Sequence, residues 1–179
     1  LVCLVGSEMC IRDSIMTSSR KEDLNKISKF YPTLAEILSQ EPLTLTHFDY
    51  RVENIFFSHD MEKIAVIDWQ LVMKNVPGYD LAYLLFSNTD IDLRRNIFDE
   101  CCKTFLSGLK ARNLDLSHDK LHKNMMYSLM AQTIIPVNGG ANFDLENQRS
   151  RKLFEVIADR MFSAIEDYDA TSYIEEQWK

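Results

Sequence analysis

Glycine is scarce in this chain, with five among 179 residues, less than half of the roughly 7% usual in globular proteins. Gly6, Gly78, Gly108, Gly139 and Gly140 cannot be assembled into G-x-G-x-x-G or G-x-x-x-x-G-K-[ST], which argues against a Rossmann dinucleotide site and a P-loop. Basic residues are also outnumbered, 20 against 27 acidic, for a net charge of −7. With no basic block, broad attraction to nucleic-acid phosphates or anionic membranes is not expected. No apolar stretch approaches the roughly 18 residues needed to span a bilayer. Cysteines are few and badly spaced for a metal. Cys3 and Cys10 lie near the start, and Cys101 and Cys102 are adjacent on a predicted helix, a poor arrangement for a structural disulfide. The expected setting is a reduced, cytoplasmic one, with no nucleic-acid and no membrane partner.

Apolar residues make up 46% of the chain, enough for one globular domain with a buried core. Residues 1–14, LVCLVGSEMCIRDS, resemble translated sequencing-adaptor read-through at the end of a gene fragment. They also read as a short apolar strand and a turn. The expectation is a non-native leader over 1–14 and one domain over 15–179. Within 21–40, Leu24, Ile27, Phe30, Tyr31, Leu34, Ile37 and Leu38 recur at helical spacing, with Pro32 able to divide the helix. A β-like tract follows at 43–46, 54–58 and 64–68, the last two forming a predicted hairpin across the polar turn 59–63. The remainder reads as helix over 80–86, 91–109, 117–135 and 146–168, with a loop at 136–140.

The residues that carry chemistry gather around the hairpin. His47-Phe48-Asp49-Tyr50-Arg51-Val52-Glu53-Asn54 reads H-x-D-x-x-x-x-N, and Ile67-Asp68-Trp69 follows one hairpin later. Phosphoryl transfer to a hydroxyl needs a carboxylate to orient the nucleophile and take its proton. It also needs oxygen ligands that hold Mg²⁺ against the nucleotide phosphates. Asp49 suits the first task, Asn54 and Asp68 the second, because a hairpin returns its second strand beside its first. Arg51 is placed to contact the transferring phosphoryl group.

The motifs THFDYRVENIFF, VIDWQ and PGYDLAYLL resemble those of the aminoglycoside phosphotransferase and choline-kinase superfamily, specifically its ecdysteroid-kinase-like branch. The resemblance implies an α+β fold: a protein-kinase-like C-terminal lobe, mainly helical with a catalytic-loop β-hairpin. It implies Asp49 as catalytic base, Asn54 and Asp68 as metal and cofactor ligands, His47 as support for the loop, and Asp80 as acceptor for the loop's backbone N–H groups. Mg²⁺ and ATP or GTP would be the cofactors, and a small-molecule hydroxyl the acceptor. Two departures stand out. Phe48 occupies a position where the small-molecule kinases usually have Gly, and only 32 positions, read as helix, separate Ile15 from His47. The nucleotide-covering N-terminal lobe is therefore expected to be missing and the isolated fragment inactive.

A protein kinase shares the H-x-D-x-x-x-x-N pattern, but only twelve positions separate Asp68 from Asp80, too few for an activation segment. A catalytically silent binding module is the other reading. Turn chemistry is the plainer account of Asp49, Asn54 and Asp68, and a surface ion pair that of Arg51. Trp69, Tyr79 and Tyr83 read as packing beneath the site. His118 and His122 have the spacing to share a metal but no third ligand, and so read as exposed helix residues. Met125, Met126 and Met130 with Leu121 and Leu129 read as core, with an acceptor-pocket wall as the alternative. Glu166, Asp167, Asp169, Glu175 and Glu176 read as a solvated end.

Overall fold

The structure is a computed structural model that describes residues 15–142 and 147–176; the expected leader, 1–14, lies outside them. The chain is mostly helical with two small antiparallel sheets, in keeping with the α+β expectation. Helix α1 (Ser18–Gln40) opens on Thr17, whose hydroxyl accepts from the Arg20 N–H, satisfying one of the free donors of the first turn. It then runs unbroken through Pro32, contrary to the division allowed for in the sequence. Pro32 is exposed while Ile27, Phe30 and Leu34 are buried. The bond that proline forfeits therefore lies on the wet side, and core packing holds the helix together.

Strand β1 (Thr44–Thr46) pairs antiparallel with β4 (Met73–Asn75), in the register Thr44 to Asn75. Between them β2 (Ile55–Phe57) and β3 (Ile64–Val66) form the predicted hairpin, Ile55 opposite Val66. Strand β4 was not foreseen, because three residues with one buried neighbour give no alternation to read. Everything between β1 and β4 is thus held by its two ends, and that segment contains both chemical motifs.

Helix α2 (Tyr79–Tyr83) starts at Gly78 and passes into a π-helical turn at Leu84–Asn88. Helices α3 (Ile91–Lys110), α4 (His118–Gln132), α5 (Ile134–Asn142), α6 (Gln148–Asp167) and α7 (Ser172–Glu176) complete the chain. The expected loop at 136–140 is instead part of α5. Pro136 sits in that helix's first turn, where the missing N–H has no intrahelical partner to lose. The core joins α1, the π-helical turn after α2, α3, α4 and α6 through Phe30, Phe86, Phe98, Met126, Leu129 and Met161. Met125, Met126, Met130, Leu121 and Leu129 are all fully buried, as core residues should be. Among the described residues no helix is long and apolar enough to cross a membrane.

Candidate active site

The loop that leaves β1 is fixed through its backbone. The Asp80 carboxylate accepts from the His47 N–H at 2.7 Å and the Phe48 N–H at 2.9 Å, one oxygen each. Burial pushes the Asp80 carboxyl above the usual carboxylate range, outweighing the opposite pull of those two donors. His47 is 1% exposed, and its Nε2 meets the Ile67 carbonyl at 2.7 Å, so the Nε2–H tautomer donates and Nδ1 is left buried without a partner. The Ile67 N–H in turn donates to the Asn54 carbonyl at 3.0 Å. The first motif is therefore tied at both of its ends, His47 and Asn54, to the residue just before Asp68.

Asn54, 5% exposed, donates from Nδ2 to the Asp49 carbonyl at 2.9 Å and to Asp49 Oδ2 at 3.1 Å. Arg51 Nε approaches the same Oδ2 at 3.4 Å as an ion pair without hydrogen-bond geometry. Asp49 is left with Oδ1 outside these contacts. Asp68 is exposed, with its backbone in the left-handed region at φ 64°, so its carboxylate is carried clear of the hairpin at the end of β3. His47, Asp49, Arg51, Asn54 and Asp80 come together in one cluster, and Asp68 follows one bonded residue away.

Asp49 and Arg51 also stand at the wall of a cavity of about 810 Å³. Its other walls come from α1 (Tyr31, Leu34, Leu38), α2 (Tyr79, Tyr83), α5 (Ile134, Ile135, Asn138) and α6 (Ser150, Leu153, Phe154, Ile157). Phe48 lines it too, stacked on Tyr79 with ring centroids 5.1 Å apart and planes 5° apart. Among the described residues, Asp49 is the one carboxylate that lines it. Tyr83, buried, lines the same cavity as Asp49. Burial, and after it the Asp49 charge, push its phenol up to about 12.

Several expectations need correction. Trp69 does not pack beneath the site: it is 48% exposed, its indole N–H donating to the Val66 carbonyl and its ring edge-on to His47. Tyr79 and Tyr83 are buried as expected, but they face the cavity. His122 is half-buried rather than exposed, its Nδ1 3.0 Å from the Tyr173 hydroxyl. Burial, then the His118 charge, lower its basicity. The acidic end is partly engaged, since Glu166 holds Arg20 and Asp167 holds Arg94 and Arg95. Sequence reasoning missed the Phe48–Tyr79 stack and the placing of Tyr83 in the wall of the cavity that Asp49 lines. The i, i+1, i+4 spacing of Tyr79, Asp80 and Tyr83 was the available signal.

Among the described residues no three His, Cys, Asp or Glu side chains gather as a metal cluster. A Mg²⁺ held against phosphates needs only one or two protein oxygens. The Asn54 side-chain oxygen, facing away from the bonds made by Nδ2, and the exposed Asp68 carboxylate are hard donors of that kind.

An H-x-D-x-x-x-x-N loop pinned by a helix carboxylate, with an aspartate at the far end of its hairpin, defines a kinase-like chain. A family model described as ecdysteroid kinase-like matches residues 9–118, more than half of the sequence, and the chain belongs to that family. The match begins inside the 1–14 segment and covers all six candidate site residues. No curated protein and no solved structure shows significant similarity to the chain.

Proposed function

We propose that this chain is the catalytic, C-terminal-lobe portion of a phosphotransferase that moves the terminal phosphoryl group of ATP, or of GTP, to a hydroxyl of a small molecule. The observation that carries the reading is the position of Asp49, fixed by Asn54 and Arg51 at Oδ2 and facing a large cavity on its other side. A hydroxyl seated there would hydrogen-bond to Oδ1, be aimed at the phosphoryl group, and give up its proton to that oxygen as the new O–P bond forms. Arg51 then carries positive charge beside the transferring group. Asn54 and Asp68 are the residues that would hold Mg²⁺, which would supply positive charge to offset that of the phosphates. Asp80 keeps the loop's backbone in register for all of this.

The cavity walls support a neutral and largely apolar acceptor. Aromatic and aliphatic side chains dominate them, and among the described residues a polycationic acceptor would meet one carboxylate. The nucleotide side is different. Leu45, Phe56, Ile64, Ile67, Trp69 and Met73 are all exposed along the two sheets, a concentration of apolar surface unusual for a free face. It fits a covering lobe contributed by further chain.

In the complete gene product, Asp49→Asn is expected to lower kcat for Mg²⁺-dependent phosphoryl transfer at least a hundredfold, with the melting temperature unchanged. Steady-state kinetics beside thermal unfolding decide this. Near-normal turnover by the variant would reject the reading.

A further inference from the structure

Phe48 precedes the proposed base in the chain and holds a left-handed backbone, φ 73°, that disfavours any side chain, yet it carries a phenyl ring into the cavity wall. One face of that ring lies on Tyr79, with the planes 5° apart. Tyr79 is 4% exposed, so the backing ring is fixed by its surroundings. Phe48 itself is half-buried and lines the cavity of about 810 Å³. What it offers to the cavity is the surface that Tyr79 leaves uncovered. The wall differs from side to side: the loop and α2 supply the rings of Phe48, Tyr79 and Tyr83, whereas α5 and α6 supply chiefly aliphatic side chains such as Ile134, Leu153 and Ile157.

We propose that Phe48 is a specificity-determining residue and that the acceptor is a phenol, an aromatic ring that bears its hydroxyl directly and carries an aliphatic portion. The inference rests on the reading of Asp49 as the base and goes beyond it in naming the acceptor. Consecutive Cα atoms are about 3.8 Å apart, so a ring stacked on Phe48 brings a hydroxyl on its own rim to the neighbouring carboxylate. A hydroxyl at the end of a flexible chain is not aimed by that stack. Offset stacking of aromatic rings is favourable beyond the area it buries, an advantage that a saturated ring of the same size lacks. The cavity is far larger than one ring, and its aliphatic side takes the rest of the molecule. In the reaction, the bond from the terminal phosphorus of ATP to the oxygen retained by ADP breaks as the phenolic oxygen bonds to that phosphorus. The phenolic proton passes to Asp49 Oδ1, and the products are ADP and an aryl phosphate. A phenol ionises near pH ~10, which eases that proton transfer relative to an alkyl hydroxyl.

The probes are 4-butylphenol and trans-4-butylcyclohexanol, which share the hydroxyl and the butyl tail and differ in the ring. Titrated into this chain and followed by calorimetry, the phenol should bind about tenfold more tightly. Phe48→Leu keeps an apolar side chain but removes the ring, and should bring the two affinities within about twofold of each other. Tyr79→Leu, the second variant should Phe48→Leu not fold, removes the backing ring and should narrow the gap as well. Equal affinities in the parent chain, binding of neither compound, or a gap that survives both substitutions overturns the inference. In the complete gene product, kcat/KM for transfer from ATP should favour the phenol by about tenfold. A value for the phenol no higher than for the cyclohexanol also overturns it, without touching the role of Asp49. Normal turnover by Asp49→Asn would instead remove the proposed function, while the binding preference is read separately, so the two failures are distinguishable.

Discussion

Phe48 stands where the backbone turns left-handed, at φ 73°, a region that costs a residue bearing a Cβ roughly 1–2 kcal/mol. The ring's stack on Tyr79 and its apolar contacts in the cavity wall offset that cost, which is how a bulky side chain occupies a position suited to glycine. These two effects can be separated by substitution. Phe48→Ala keeps the backbone cost and loses the ring; Phe48→Gly loses both. We expect Phe48→Ala to be the less stable of the two by about 1 kcal/mol, measured by chemical denaturation, and both to fall below the parent chain. At the same scale, the H-x-D-x-x-x-x-N spacing singled out Asp49 and Asn54, and the family resemblance singled out Asp80 as the acceptor for the loop's backbone. Sequence reasoning misjudged Trp69, since a tryptophan in an apolar stretch gives no sign that its face of the hairpin is open.

Among the elements, α2 governs the site although it is only five residues long before its π-helical turn. Its first turn depends on Gly78, with φ 94°. A Cβ there would lie 2.6 Å from Leu121 Cδ1 and 3.2 Å from Met125 Cγ. Leu121 is fully buried and has no free volume to move into. Gly78→Ala therefore combines left-handed strain with overpacking, and about 2–4 kcal/mol of stability should be lost. Gly108 is the contrasting case, in regular α3 with only Arg112 Nη1 at 3.7 Å from an added Cβ. Gly108→Ala should raise stability by about 0.5–1 kcal/mol. Thermal melts of the two variants test the pair together. Elements were legible in proportion to their length and periodicity: α3 and α6 appear within two residues of expectation, and the β2–β3 hairpin was evident from its polar turn. Strand β4 and the passage of α1 through Pro32 were not, because each depends on what packs against it rather than on its own residues.

Over the whole molecule, α6 is where distant parts of the chain are fastened. Arg20 of α1 donates to Glu166 and to Asp159, and Arg94 and Arg95 of α3 both reach Asp167. Arg94 is the critical case: its side chain is 0% exposed, with further bonds to the Arg160 carbonyl and the Ser163 hydroxyl. A guanidinium that cannot shed its charge stays there only while its counter-charge is present. Hydrogen bonding from Arg95, with the nearby arginine charges, holds the Asp167 carboxyl below its usual range. The unfolded chain then binds a proton at a higher pH than the folded chain does. The resulting stabilisation is complete above the unfolded value of about 4 and is lost as pH falls through the lower folded value. Asp167→Asn should therefore cost about 3 kcal/mol at pH 7, and the difference from the parent chain should shrink as pH falls below about 4. Urea denaturation at pH 7 and at pH 3 measures both quantities. A penalty that stays constant with pH would mean that the aspartate contributes shape rather than charge, and that Arg94 is held by its bonds to Arg160 and Ser163 alone.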